Sequence, residues 1–145
     1  MKGRKVLAFC LSMSMIFSSF SMAFAEETNN IAATNKFADT NGHWAATAIE
    51  KWAGYGVLNG LDGSFRPNDY ITRAEMATLL DNMMDYQVAA KNTFSDVSTG
   101  AWYEAAVLKT NAAGILNGDG AGHANPTAKI TKEQAALMLA RAFSV

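Results

Sequence analysis

The chain states one pattern twice, and that repetition limits what it can fold into. Phe37-Ala-Asp39 is answered by Phe94-Ser-Asp96, Trp44 by Trp102, Ile49 by Val107, and Gly56-Val57-Leu58-Asn59-Gly60 by Gly114-Ile115-Leu116-Asn117-Gly118. Pro67 then meets Pro126, and Ile71-Thr72 meets Ile130-Thr131. The offset is 94 − 37 = 57 at the start and 126 − 67 = 59 at the end, so the drift falls in loops. Self-similarity at this period means that each unit is one supersecondary module burying its apolar face partly against a copy. One unit alone would have a marginal core, so the two are expected to lean on each other.

Trp44, Ala48, Ile49 and Trp52 fall at i, i+4, i+5 and i+8, the spacing of a buried helical stripe, and Trp102, Ala106 and Val107 repeat its beginning. This first helix should stop near Gly54 to Gly56, where glycine accepts a left-handed C-terminal conformation. A glycine-rich loop, Asn59 to Pro67, leads into a second helix carrying Met76, Leu79, Leu80 and Met83, and Met138, Leu139, Ala142 and Phe143 repeat that helix at the end of the chain. Phe37 and Phe94 are expected to pack beneath the helices. No strand-period segment exceeds a few residues, so the predicted fold class is all-α, two helix-loop-helix modules side by side with about four main helices. The divisions are residues 1–25 as a secretory signal, 26–36 as a lead-in, 37–86 as module 1, 87–93 as a linker and 94–145 as module 2.

The second helix of each unit starts with a recognisable signal. In Thr72-Arg73-Ala74-Glu75, Thr72 reads as the N-cap and Glu75 as its capping-box partner, each satisfying an orphan amide of the first turn. Arg73 has no such task, because a cation at the first helical position lies near the positive end of the helix dipole. Lys132 repeats the anomaly in Thr131-Lys132-Glu133-Gln134. Either these are solvated surface cations that tolerate a small penalty, or cation and backbone amides together receive an anion. Recurrence at matching positions favours the second reading.

Lys2, Arg4 and Lys5 precede an apolar run that ends at Ala23-Phe24-Ala25, the form of a cleaved secretory signal. Its removal takes three of the 12 Lys and Arg, so 9 cations would face 13 acids, a net of 9 − 13 = −4. That balance speaks against nucleic acid. Cys10 would leave with the signal, so no disulfide, thiol nucleophile or cysteine metal site is expected, nor any integral membrane segment after cleavage.

With these residues in view, both units resemble S-layer homology modules. The marks are Phe37-x-Asp39, His43-Trp44-Ala45, Gly56-Val57-Leu58-x-Gly60, Asp62-Gly63-x-Phe65-x-Pro67 and Thr72-Arg73-Ala74-Glu75, spread in fixed order over residues 37 to 86 and 94 to 144. The resemblance implies a secreted protein of the cell wall or S-layer. It implies non-covalent anchoring through secondary cell-wall polysaccharide or peptidoglycan-linked glycan, commonly pyruvylated, held in grooves between adjacent modules. It places Arg73, and less directly Lys132, at such a groove, with Thr72 and Glu75 framing it. Lysine lacks the planar fork that grips a carboxylate through two bonds, so the second site should be weaker. The second unit also departs at Glu133-Gln134 and at Gly120-Ala121-Gly122-His123. The family commonly assembles three modules and two are evident here, so either the two close on each other, or a homo-oligomer or a third module from another chain covers what remains.

Trp44 and Trp102, heading an apolar stripe, read first as core and second as sugar-stacking platforms. His43 and His123 occupy unmatched positions and read as solvated rather than as metal ligands. Asp62 and Asp69 lie near glycines, but the oxygen ladder of a calcium loop is missing, so turn chemistry is expected and no metal or cofactor. Asp39 and Asp96 should cap helices or hold loop amides, since no nucleophile or base accompanies them. The expectation is therefore a glycan-binding wall anchor without catalytic residues, with a self-associating envelope scaffold as the alternative and a wall hydrolase as a third, weakly motivated reading.

Overall fold

The computed structural model describes residues 36–145, so the expected signal and nearly all of the lead-in lie outside the described residues. A 3-10 turn at Ala38–Thr40 is followed by α1 (Ala46–Gly54), α2 (Arg73–Met84), α3 (Glu104–Ala112) and α4 (Lys132–Phe143). The all-α expectation of four main helices holds. Two isolated bridges, Leu61 with Ser64 and Thr72 with Lys129, are the only β pairing among the described residues.

Local chemistry explains the ends of the helices. Both α2 and α4 carry complete capping boxes, Thr72 with Glu75 and Thr131 with Gln134, so glutamine substitutes for glutamate without loss of the motif. Glycine 56, at φ 75°, takes the left-handed conformation just past α1 that a side chain would resist. The linker is tied down by Ala90 N–H donating to the Leu108 carbonyl and by the Asn92 side chain donating to the Val97 carbonyl.

The main core is shared between the repeats. Ala74, Met76, Ala77 and Leu80 of α2 cluster with Val97, Val107, Ile115, Leu116, Ala124, Met138 and Ala142, all from the second repeat. A smaller cluster, Phe37, Ile49 and Ala53, sits under the first repeat alone. α2 accordingly packs on α3 and also touches α4. The two units do lean on each other, and α2 is the element through which they do so.

Phe37 and Phe94 pack as expected, and a glycine makes room for each. A Cβ on Gly60 would collide with the Phe37 ring and the Ser64 carbonyl, and one on Gly118 would lie 2.7 Å from the Phe94 ring. The tryptophans require a correction. Trp44 is 91% exposed and Trp102 66% exposed, so neither is core. Both stand in the turn before their helix, α1 starting at Ala46 and α3 at Glu104, and the helical period that relates Ile49 to Ala53 does not extend to them. Trp52, within α1, is also exposed and packs edge-on against Tyr55 at 5.9 Å between ring centroids.

Candidate ligand-binding groove

The start of α2 is crowded with satisfied bonds. Thr72 Oγ1 accepts from the Glu75 amide at 3.2 Å, and Glu75 Oε2 accepts from the Thr72 amide at 2.7 Å. Glu75 Oε1 accepts from Arg66 Nη2, also at 2.7 Å, so this carboxylate both caps the helix and holds the loop before it. The Arg73 amide donates to the Ala128 carbonyl and the Ala74 amide to the Pro126 carbonyl, each at 2.9 Å. The amides expected to cradle an anion are therefore spent on the second repeat.

Arg73 itself does the same. Its Nε donates to the Ala124 carbonyl at 2.8 Å and its Nη2 to the Asn117 carbonyl at 2.9 Å. Burial draws the guanidinium pKa below its ordinary value, while the Asp96 and Asp119 carboxylates act to hold it up. Its cation lies against carbonyl oxygens rather than in a carboxylate pair, and it fastens one repeat to the other. Lys132 stands exposed at the matching position, its side chain bonded to no described residue.

The loops on either side are held by the repeated aspartates. Asp39 accepts from the Phe65 and Arg66 amides, at 2.9 Å and 2.6 Å, and Asp96 accepts from the Ala124 and Asn125 amides at 2.8 Å each. These are the loop-amide roles expected of them. The amides of Phe65 and Arg66 hold the Asp39 pKa below the ordinary carboxylate value. Asp119 drops to about 2, chiefly because it accepts from the Ala121 and His123 amides, and the His123 ring lies 3.0 Å from its other oxygen.

Between the repeats lies a groove of about 460 Å³. One wall comes from the first repeat: the loop from Asn59 to Ile71, and Glu75, Thr78, Leu79 and Asn82 of α2. Trp102 of the second repeat closes the other side. A second cavity, of about 420 Å³, adjoins it and shares Arg66, Asp69 and Tyr70. Asn68 and Thr72 complete the first-repeat side of that cavity, and Thr127 and Lys129 come from the second repeat. Lys129 Nζ lies 4.4 Å from the centre of the Tyr70 ring, a cation–π contact, and has no carboxylate partner among the described residues. Arg66, by contrast, is offset by Glu75 and, at 3.8 Å, by Asp69. The first cavity thus offers aromatic and aliphatic walls with amides at the edge, and the second offers an uncompensated ammonium.

Of the residues singled out from the sequence, Glu75 and Trp102 meet in the larger cavity and Thr72 lines the smaller one. Arg73, Lys132 and Trp44 line neither. Arg66, Tyr70 and Lys129 were missed. Arg66 occupies an unspecified position of its loop motif and adopts φ 59°, and neither fact marks it in sequence. Tyr70 and Lys129 are matching positions of the two repeats, which was the available signal.

With this geometry in place, the chain can be set beside known proteins. The model of the S-layer homology domain matches residues 36–77 and again 93–136. The chain belongs to the S-layer homology family. It is 30% identical to the Surface-layer 125 kDa protein of Lysinibacillus sphaericus over 99% of its own length and 12% of that protein's. It is 30% identical to S-layer protein sap of Bacillus anthracis, over 98% of this chain and 17% of that one. An endo-1,4-beta-xylanase A of Thermoanaerobacterium saccharolyticum is 35% identical over 68% of this chain, which amounts to 9% of the xylanase. The chain thus spans less than a fifth of each of these relatives. Membership places it among anchoring modules of the cell surface, and the enzyme-named relative matches over its S-layer homology region rather than as a whole. No helix among the described residues is long and apolar enough to cross a membrane.

Proposed function

We propose that the groove between the two repeats holds a cell-wall polysaccharide bearing an anionic substituent, a pyruvate ketal being the one the family resemblance implies. The observation that carries this reading is Trp102, two-thirds exposed yet lining the same cavity as the Asn59–Ile71 loop and α2 of the other repeat. A large exposed indole facing apolar and amide groups suits the mixed surface of a sugar ring, whose C–H face stacks while its hydroxyls meet polar edges. Lys129 in the adjoining cavity supplies the charge for the acidic substituent, with Thr72 and Thr127 as hydroxyl partners. Glu75 and Arg66 shape the floor through their ion pair. Arg73 contributes indirectly by setting the distance between the groove walls, and Lys132 lies outside this site.

Contacts of this kind in an open groove correspond to millimolar to micromolar affinity per site, roughly 4 to 8 kcal/mol, and engagement of many sites along a polymer supplies the rest. The test is sedimentation with purified wall sacculi. Trp102→Ala should lower binding at least about tenfold, the equivalent of about 1.4 kcal/mol, and Lys129→Gln should weaken it and flatten its salt dependence. Binding unchanged in both variants refutes the groove. Binding that survives mild acid removal of ketal pyruvate would keep the groove but assign it a neutral glycan.

A further inference from the structure

Asn59-Gly60 and Asn117-Gly118 occupy matching positions of the two repeats, each preceded by leucine, and both asparagines are exposed. Asparagine before glycine is the pairing in which the main chain most readily attacks a side chain, because glycine has no Cβ to obstruct the approach. The glycine nitrogen bonds to the asparagine Cγ, the Cγ–Nδ2 bond breaks, and the side-chain amide leaves as ammonia with the glycine's proton. Water then opens the cyclic imide at either carbonyl, giving aspartate or, with one extra atom in the main chain, isoaspartate. Attack requires the asparagine–glycine peptide to rotate, so whatever holds that peptide sets the rate. Much is shared between the two sites. Neither asparagine side chain and neither glycine N–H is hydrogen-bonded among the described residues. Each glycine is hemmed by a phenylalanine ring and a carbonyl, Phe37 and Ser64 at Gly60, Phe94 and His123 at Gly118. The difference is the asparagine carbonyl. That of Asn117 accepts from Arg73 Nη2 at 2.9 Å, and that of Asn59 accepts from no described residue. A third pair, Asn41-Gly42, precedes α1 and lines neither cavity.

We propose that Asn59 is a site of spontaneous deamidation that writes a negative charge onto the groove wall, while the Arg73 bond shields Asn117 from the same reaction. Asn59 lines the larger cavity, whose charged groups are Arg66, Asp69 and Glu75. Arg66 is already paired with both of those carboxylates, so a new carboxylate at position 59 finds no free cation among them. The added charge opposes an anionic ligand, and does so most at low salt. That consequence rests on the glycan reading above, whereas the conversion itself does not. Asn117 lines neither cavity, and turning its peptide breaks a bond that fastens one repeat to the other. The groove therefore carries a covalent clock on one wall, and the joint between the repeats is protected from it.

Peptide mass spectrometry of the purified chain, warmed at neutral pH over a time course, tests it. In urea the two sites should convert at nearly equal rates, since both read Leu-Asn-Gly. In the folded chain Asn59 should convert about fivefold faster than Asn117, the effect of one hydrogen bond of ordinary strength. Arg73→Ala should bring the ratio of the two rates close to one, and Arg73→Lys, which costs less stability, should move it the same way. The ratio is taken within one molecule, so a general loosening that speeds both sites cancels. An Asn59 no faster than Asn117 in the fold overturns the proposal, as does a ratio that neither Arg73 variant changes. For the consequence, each chain is compared with its own fresh sample in sedimentation with wall sacculi at low salt. The aged parent should lose binding several-fold and aged Asn59→Gln, whose longer side chain cyclises more slowly, should keep its fresh value. Equal losses overturn the charge effect. A fresh parent that binds no wall material overturns the glycan reading and the charge effect with it, while the conversion ratio stands or falls by mass alone.

Discussion

Arg73 and Lys132 occupy the same place in a repeated sequence, yet they should respond differently to truncation. Arg73→Ala removes two charged hydrogen bonds to carbonyl oxygens, one of them on Ala124, a fully buried residue. Stranding a buried acceptor costs about 1 to 3 kcal/mol, and losing the bond to the exposed Asn117 carbonyl adds about 1 more, because water can replace it there. The sum is about 2 to 4 kcal/mol, a large share of the stability of a domain this size. Arg73→Lys keeps at most one of the bonds and should lose about half as much. Lys132→Ala removes a side chain with no described partner and should lie within about 0.5 kcal/mol of the parent. Urea denaturation reads all three. Equal costs for Arg73→Ala and Lys132→Ala would refute the view that Arg73 is an inter-repeat fastener, as would a stability loss for Arg73→Ala below about 1 kcal/mol.

Gly60→Ala should destabilise the first repeat by about 1 to 3 kcal/mol, since the added methyl meets the Phe37 ring and a backbone carbonyl that cannot move aside; thermal unfolding measures it. Leu80→Ala, at a position with no exposure between α2 and the second repeat, should cost about 2 to 5 kcal/mol in the same assay. Acid should loosen the Asn117–Asn125 loop before the helices melt. Asp119 has its carboxyl depressed in the fold, so its contribution is complete above the ordinary value of 3.8 and is lost as pH falls through about 2. Asp39 is lowered by the Phe65 and Arg66 amides, so its hold on the loop is likewise complete above the ordinary carboxylate value and is lost as pH falls through its own depressed value. Protection of the Ala121 and His123 amides, and of the Phe65 and Arg66 amides, should fall below the ordinary carboxylate range, and protection that persists at the lowest pH would contradict the assignment.

What was legible in the sequence was local or repeated. The capping boxes were readable because Thr72 and Glu75 meet within one turn, whatever surrounds them. The loop-holding role of Asp39 and Asp96 was readable because the repeat gave the same residue the same task twice. The tryptophans were not, because a helical stripe was extended backwards into turns that do not obey its period. The lining of the groove was not either. Trp102 reaches the loop after α1 only once α2 is packed against α3, and no spacing within one repeat encodes that crossing. Arg73 stands out in the sequence for a sound electrostatic reason, and no spacing within one repeat shows that its side chain donates to carbonyls of the other.

That outcome has a general cause. A repeat gives two copies of each residue, but packing the copies side by side gives each a different neighbour, so identical positions acquire different physical work. Trp102 lines a groove because the first repeat lies beside it, while Trp44, with no such wall among the described residues, stands in solvent. Arg73 is spent on the next repeat's loop, and Lys132 is not. The substitutions follow this division: the member that meets carbonyls through two nitrogens is arginine, whose fork suits two acceptors, and the exposed member is lysine, a point charge on a flexible stem. Likewise α2 carries Ala74 where it is buried and α4 carries Glu133 where it is exposed. Divergence between the repeats therefore records which interfaces the chain makes within itself. Within the two helices only Ala136 for Ala77 and Leu139 for Leu80 have not diverged, and there one residue type is buried in α2 and exposed in α4.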